Sequence, residues 1–265
     1  GRRVDQRFAH HDAHRHAHRE LTVWPDAGFL TQTRARFACR GSLAALDWVM
    51  DWLLDCLLPR HCLVCGRLAG AENLCAPCAA ELPRTGEVCR RCALALPGNP
   101  GATCGDCLTS QPPWERAVAA LDYRYPVRQL VQRFKFNRSL ASGEVLAGEL
   151  SRAVLDADEK PDVIAPVPLH GWRFFRRGYN QADLIARRLG RDFGVRVDAG
   201  LLRRRRRTAA QTGLDAVQRR RNVRGAFRAA PRSGTTMPRC VALVDDVMTT
   251  GATLEACTRA LLRAG

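Results

Sequence analysis

The chain has 265 residues, of which 46% are hydrophobic and 26% charged, so it can bury a sizeable apolar core. Its formal net charge is +16, and arginine supplies all but two of the 42 basic residues. Genome-wide codon bias accounts for the excess of arginine over lysine, but not for the net charge. The positive charge favours phosphate-bearing ligands, which arginine binds well. Because no apolar run reaches about 18 residues and the first 20 residues lack the apolar segment of a signal peptide, we predict a cytoplasmic protein without a membrane span.

Residues 1–42 contain five of the seven histidines and show no helical or strand periodicity, which predicts a disordered extension. The histidines are also compatible with metal binding, but a solvated tail is the simpler interpretation. Residues 43–60 place apolar side chains at helical spacing from Leu46 to Leu57 and predict an amphipathic helix that Pro59 ends. Its apolar face is expected to pack on the rest of the protein or on a partner.

Eight cysteines in four C-x-x-C pairs dominate residues 61–110, with 9, 10 and 11 residues between successive pairs. A segment so short and rich in turns needs a staple to fold, and thiolates at this spacing are ligands for structural zinc. We predict a double zinc ribbon with two closed sites, while crossed pairing, a single occupied site and redox-active pairs remain alternatives. The sequential grouping is Cys62, Cys65, Cys75 and Cys78 in one site and Cys89, Cys92, Cys104 and Cys107 in the other.

Residues 111–265 alternate between strand-like and helical segments, which predicts an α/β domain with a parallel sheet and helices on both faces. The ligand site of such a sheet lies at the carboxyl ends of its strands. The basic segment 203–225 is predicted to be a surface loop or a mobile excursion, and we expect the chain to be truncated after Gly265. The predicted strands are 117–123, 162–167, 195–197 and 240–244, and the predicted helices are 127–134, 143–155, 181–193 and 253–263.

Two adjacent carboxylates, Asp245 and Asp246, follow the strand at 240–244 and precede a turn rich in threonine and glycine. Such a pair is costly to bury without a partner, which favours a ligand over a ligand-free connection capped by Thr253. The acids suit a sugar diol or hydrated Mg²⁺, and the amides of the turn and of the next helix suit an anion. A sugar phosphate is therefore predicted, with its phosphate on Thr249, Thr250, Gly251, Ala252 and Thr253.

The run from Val244 to Thr253 resembles the signature of type I phosphoribosyltransferases, which bind 5-phosphoribosyl-1-pyrophosphate (PRPP). The resemblance implies a type I phosphoribosyltransferase-like fold, in which Asp245 and Asp246 hold the ribose hydroxyls and the following loop wraps the 5-phosphate. PRPP with Mg²⁺ is the implied ligand. Because no general base is assignable in the sequence, binding is expected and turnover as a phosphoribosyltransferase is left open.

The resemblance also places the pyrophosphate group. In the related enzymes the loop after the first core strand binds pyrophosphate, and here that loop is Pro168, Leu169 and His170. Arg177 and the arginines at 219–221 are candidates to stabilise the charge of the departing group. Segment 203–225 takes the place of the flexible loop that closes over PRPP.

Two further stretches, 166–182 and 211–227, resemble the ComF family of competence-associated proteins, and so does the cysteine-rich lead-in. Members of that family carry a zinc ribbon before a phosphoribosyltransferase domain. The resemblance covers residues 43–265. It implies a role in taking up transforming DNA, with competence proteins as partners.

A basic tract between Pro166 and Arg228 holds 17 arginines against four aspartates and peaks at Arg203–Arg207. Such a patch attracts polyphosphate or nucleic acid. The alternative function is therefore a non-catalytic single-stranded DNA-binding factor that uses the zinc ribbon and the arginine-rich loop. Four aromatic residues among these arginines are either base-stacking platforms or core residues: Trp172, Phe174, Phe175 and Tyr179.

Overall fold

A computed structural model describes residues 59–69, 72–99, 101–155, 160–206, 208, 215–231 and 236–265. The extension predicted at 1–42 and most of the helix predicted at 43–60 lie outside these residues. The helices are α1 (Ala76–Ala80), α2 (Gly105–Thr109), α3 (Val127–Phe136), α4 (Leu140–Ala153), α5 (Gly171–Arg177), α6 (Gln181–Phe193), α7 (Ala216–Val223) and α8 (Ala252–Leu262). The strands are β1 (Val163–Pro166), β2 (Leu202–Arg204), β3 (Phe227–Ala229) and β4 (Val241–Val244).

The two cysteine quartets share one local plan. In each, an antiparallel bridge closes around the first C-x-x-C pair, and a five-residue helix begins directly after the third cysteine. In each quartet the amide of the residue after the first pair donates to the carbonyl of the first cysteine, at 2.9 Å from Gly66 to Cys62 and at 2.8 Å from Ala93 to Cys89. The segment is therefore a repeat of one unit, with α1 in the first copy and α2 in the second.

A parallel pair of strands lies at the centre of the second half of the chain. β1 pairs with β4 in register from Val163 opposite Val241 to Pro166 opposite Val244. The strand predicted at 195–197 is reduced to one parallel bridge, between Val197 and Ile164. Successive side chains of a strand point to opposite faces, so each strand supplies two packed surfaces.

Helices cover both of these faces. On one side Ile164 and Val244 pack into a cluster with buried residues of α3, α4 and α6. On the other side Val163 and Val241 join a second cluster, to which α7, α8 and the β2–β3 pair contribute. Both strands are consequently apolar on both faces, as a covered parallel sheet requires.

Local capping explains where the best-defined helix begins and ends. The Asn180 side chain accepts a hydrogen bond from the amide of Ala182 at 3.2 Å, and Gly194 ends α6 in the left-handed conformation at φ 66°. The helix predicted at 181–193 is confirmed. α4 begins earlier than predicted because Ser139 caps it and accepts from the amide of Ser142.

The strand predicted at 117–123 is wrong. Its backbone is held against Pro83 to Thr85, where the amide of Asp122 donates to Pro83 at 2.8 Å and the amide of Thr85 donates to Ala120 at 3.1 Å. Only Arg84 and Leu121 form a bridge. Proline has no N–H to continue a ladder, so the pairing stops there.

The surface loop predicted at 203–225 is also wrong, because it contains regular structure. β2 pairs antiparallel with β3, and α7 lies between them in sequence with a complete capping box at Asp215 and Gln218. The apolar residues Leu202 and Val223 are almost fully buried and hold these elements against α8. Residues 209–214 within this segment are outside the described ranges.

A charge network joins the first ribbon to the α/β body. Glu149 of α4 is buried and accepts from Arg84 at 2.8 and 3.0 Å. It also pairs with Arg152, which reaches Glu72 of the ribbon at 2.6 Å. Because the central carboxylate is desolvated, it needs these arginines, and loss of both would leave a costly unpaired buried charge.

Candidate ligand site and metal centres

The carboxyl ends of β1 and β4 lie side by side. The amide of Val167 donates to the carbonyl of Val244 at 2.8 Å, so the pairing runs one residue past the end of β1. The segments that follow the two strands, 167–170 and 245–251, therefore leave the same edge of the sheet. This edge is where the sequence predicts a ligand site.

Asp245, the first acid of the pair, is partly buried, and its surroundings raise its pKa. Burial, and then the neighbouring charge of Asp246, raise the pKa of Asp245 from 3.8 to about 7. The amide of Asp246 donates to the Asp245 carboxylate at 2.8 Å, and the charges of Lys135 and Arg204 also oppose the rise in pKa. The ionised form of Asp245 is therefore disfavoured in the protein alone. This indicates a ligand that stabilises the carboxylate through hydrogen-bond donors or positive charge.

Lys135 near the C-terminus of α3 supplies the nearest cation. Its Nζ lies 2.9 Å from Oδ1 of Asp246, and the two side chains are 20% and 13% exposed. The sequence-based assignment missed this residue. A signal was present, since Lys135 is one of only two lysines in a chain that otherwise uses arginine.

The turn after the acids presents unsatisfied hydrogen-bonding groups. Gly251 is the N-cap residue of α8 at φ 69°, a conformation that glycine adopts without strain, and it has no side chain with which to cap the helix. The Thr253 cap considered from the sequence is therefore wrong, because Gly251 takes the N-cap position. Within the described residues, the buried hydroxyl of Thr250 has no hydrogen-bond partner. An uncapped helix start beside an unpaired hydroxyl suits an anion.

A cavity of about 700 Å³ adjoins this turn. Its lining includes both acids and Arg220 of α7. Of the predicted phosphate-binding residues 249–253, it includes Thr249, Thr250 and Gly251 but not Ala252 or Thr253. It also includes Trp114 and three cysteines of the second quartet. The cavity therefore lies between the acidic edge of the sheet and the second ribbon.

Of the residues predicted to bind pyrophosphate, Arg220 lines this cavity, whereas Pro168, Leu169, His170 and Arg177 lie outside its lining. His170 is the N-cap of α5, where its Nδ1 accepts from the amide of Trp172 at 3.3 Å. Arg177 donates to Gln181 at 3.0 Å, and its guanidinium lies 5.6 Å from the ring centre of Phe136. Pro168 and Leu169 are half-buried next to them. Both His170 and Arg177 thus have structural contacts of their own.

The eight cysteines form two clusters, and the sequential grouping is the one that the structure brings together. In each quartet all four Sγ atoms lie within 4.8 Å of one another. The contact between Cys65 and Cys75 and that between Cys92 and Cys104 are both 3.6 Å. Four Zn–S bonds of about 2.3 Å in a tetrahedron separate sulfurs by about 3.8 Å, so both clusters fit structural zinc.

The backbone around each cluster favours thiolates. Burial alone would raise the pKa of Cys62 and Cys89, but several backbone amides donate to each sulfur and lower the pKa to about 6. The last cysteine of each cluster has a raised pKa, from the Cys75 hydrogen bond at Cys78 and from burial at Cys107. The first cysteine of each cluster thus ionises more readily than the last, and a bound cation favours the thiolate form of the ligands.

The basic tract divides into structural and exposed arginines. Arg206 donates to the carbonyls of Asn222 and Arg224 at the end of α7, at 3.3 and 3.0 Å, and Arg204 lies over the ring of Phe227. Arg203 and Arg205 are exposed.

The aromatic residues near this tract divide in the same way. Tyr179 is structural, because its hydroxyl donates to the carbonyl of Phe134 at 2.5 Å. Trp172, Phe174 and Phe175 are 49%, 51% and 85% exposed, so the core alternative is wrong for these three.

Comparison with known proteins agrees with this architecture. The family profile described as a double zinc ribbon domain matches residues 53–108, so the chain is a double zinc ribbon protein with an α/β domain behind the ribbon. Competence protein F of Haemophilus influenzae is 37% identical over 212 residues, which is 77% of this chain and 92% of that protein. The chain belongs to the ComF family of competence proteins.

Other relatives extend the comparison. DNA utilization protein YhgH of Salmonella typhi is 38% identical over 216 residues, covering 78% of this chain and 93% of the relative. Competence protein ComFC of Streptococcus pneumoniae is 26% identical over 200 residues, covering 72% and 82%. No solved structure matches the chain. Among the described residues, no helix combines the length and the apolar character that a bilayer crossing needs.

Proposed function

We propose that the chain binds PRPP, together with Mg²⁺, at the paired acids and the Gly251 turn, and that it does so in the handling of incoming DNA. The names of its relatives, competence protein and DNA utilization protein, support the second part. The first part depends on one observation. The acid pair, the buried unpaired Thr250 hydroxyl and the uncapped start of α8 adjoin the same cavity.

The chemistry of each group matches one part of the ligand. Carboxylates accept hydrogen bonds from both hydroxyls of a ribose, and the raised pKa of Asp245, caused by burial and by Asp246, supports a role for such a donor. The amides at the start of α8 suit the 5-phosphate. Arg220 lines the same cavity and provides positive charge for the pyrophosphate end, while Lys135 pairs with Asp246. Oxygen donors are also the ligands that Mg²⁺ prefers.

Calorimetric titration of the zinc-loaded protein with PRPP and Mg²⁺ tests the proposal. Loss of hydrogen bonds to a charged group costs about 1.5–3 kcal/mol, so Asp246→Asn and Asp245→Asn should each weaken binding at least about tenfold. Glu144→Gln removes the same charge from an exposed surface pair with Arg188 and serves as the matched control. Unchanged affinity in both aspartate variants would overturn the proposal. Pyrophosphate release in the same titration reports on transferase activity.

A second candidate function, single-stranded DNA binding, is favoured by the three exposed aromatic residues of α5. Trp172, Phe174 and Phe175 lie in the basic tract, and aromatic side chains in a positive groove stack bases without sequence preference. Base stacking is worth about 1–3 kcal/mol per base. Serine at all three positions should therefore weaken binding of a fluorescent oligothymidine at least about fivefold.

Two comparisons sharpen this measurement. Leu108→Ser changes an equally exposed apolar residue in the ribbon and should leave DNA affinity unchanged. Arg203→Ser with Arg205→Ser removes exposed charge only, so it should flatten the dependence of affinity on salt. If the aromatic variant binds DNA as the wild type does, α5 is not a stacking surface.

A further inference from the structure

Trp114 connects the second cysteine cluster to the segment that follows it. The side chain is 8% exposed, and its Nε1 donates to the carbonyl of Arg91 at 2.6 Å. Arg91 lies inside the C-x-x-C turn between Cys89 and Cys92. The amide of Ala117 donates to the carbonyl of Arg90, the other residue of that turn, at 3.3 Å. The carbonyls of Arg90 and Arg91, the two residues between the cysteines, therefore both accept hydrogen bonds from the segment that contains Trp114.

The same indole ring contacts the proposed phosphate-binding turn. A Cβ added to Gly251 would lie 3.0 Å from Cη2 and 3.5 Å from Cζ2 of Trp114. Gly251 is at φ 69° and begins α8, so the ring packs against the residue at which the turn becomes the helix. Trp114, Gly251 and both acids line one cavity, together with Cys92 and Cys104.

The first cluster makes a comparable contact. Nη1 of Arg133 donates to the carbonyl of Leu63, which lies inside the first C-x-x-C turn. Arg133 belongs to α3, two residues before the lysine that pairs with Asp246. Each metal-binding turn thus offers a backbone carbonyl to a side chain outside the cysteine-rich segment.

We propose that Trp114 is a positioning residue that couples metal occupancy of the second cluster to the Gly251 turn. The effect of this coupling on ligand affinity rests on the proposed binding of PRPP, whereas its effect on the turn does not. Metal ligation holds the C-x-x-C turn in the conformation that directs the Arg91 carbonyl toward the indole. Loss of the metal releases that carbonyl, the ring loses its anchor, and the turn loses the surface on which it packs.

Two measurements on zinc-loaded protein test the coupling. Trp114→Phe keeps an aromatic ring but removes the N–H donor. Because one hydrogen bond is worth about 0.5–1.5 kcal/mol, we expect the variant to bind PRPP about two- to tenfold more weakly. Hydrogen exchange of the amides of residues 249–253 should accelerate, while exchange in α6 stays unchanged. Leu108→Ala, at an exposed position of the same ribbon, is the control and should change neither quantity.

Combination with Cys92→Ser, which removes one ligand of the second cluster, separates coupling from simple destabilisation. Cys92→Ser should reproduce both effects, and the double variant should be no weaker than the weaker single variant. Additive losses, or unaltered exchange at 249–253 in Trp114→Phe, would overturn the coupling. If wild type fails to bind PRPP while exchange still responds to both changes, the proposed function fails and the coupling stands.

Discussion

Replacement of Lys135 by methionine should destabilise the protein measurably. Removal of one partner from a buried ion pair costs about 3–5 kcal/mol, because the other charge stays desolvated. The side chains of Lys135 and Asp246 are 20% and 13% exposed, so water recovers part of this cost. We therefore expect a loss of about 2–3 kcal/mol. The pKa of Asp245 should rise further, since the charge of Lys135 lowers it in the wild type.

Urea denaturation of zinc-saturated protein, followed by circular dichroism, measures this loss. Adding Asp246→Asn to Lys135→Met removes the uncompensated charge and should restore most of the stability. The control is Lys160→Met, the other lysine, whose Nζ donates to the carbonyl of Phe193 at 3.0 Å. It should lose about 1 kcal/mol and gain nothing from Asp246→Asn. A Lys135 variant within about 0.5 kcal/mol of wild type would refute the reasoning.

Three further outcomes follow from the structure. The raised pKa of Asp245 means that this carboxyl ionises at lower pH in the unfolded state, so the wild type loses stability as pH rises from about 4 to 7. In thermal melts the stability of Asp245→Asn relative to the wild type should rise over that range, by at most about 4 kcal/mol. A difference that stays constant with pH would contradict this. Gly143→Ala places a Cβ 2.5 Å from the buried ring of Phe134 and should cost about 1–3 kcal/mol in urea titrations, whereas Gly148→Ala on the same helix meets nothing and should stabilise. Chelation of zinc should abolish protease resistance of residues 61–108 before that of α6, as judged by mass spectrometry, and simultaneous cleavage would contradict it.

Local signals account for the parts of the fold that the sequence predicts well. α6 is bounded by a capping asparagine and a left-handed glycine, which act within one turn of the chain. β4 is a continuous apolar run, and the cysteine pairs have a spacing that few other structures require. The clustering of 245–251 beside β1 follows from the rule that parallel strands share one carboxyl edge.

The parts that sequence reasoning missed depend on distant contacts. α5 and α7 are short and arginine-rich, so periodicity does not reveal them, and β2 and β3 exist only through their pairing with each other. Lys135 of α3 reaches Asp246 in the turn after β4, and Trp114 reaches Gly251 across the boundary of the ribbon. In the sequence, the sign of that contact is a tryptophan, Trp114, between the last cysteine pair and the first strand.

The order of the strands has a consequence for synthesis. β1 and β4 are adjacent in the sheet, yet they are the first and last of the described strands along the chain. On the ribosome, both cysteine quartets emerge long before the aspartates do. A nascent chain can therefore capture its metals while the ligand pocket does not yet exist, and the pocket closes against a ribbon that is already folded.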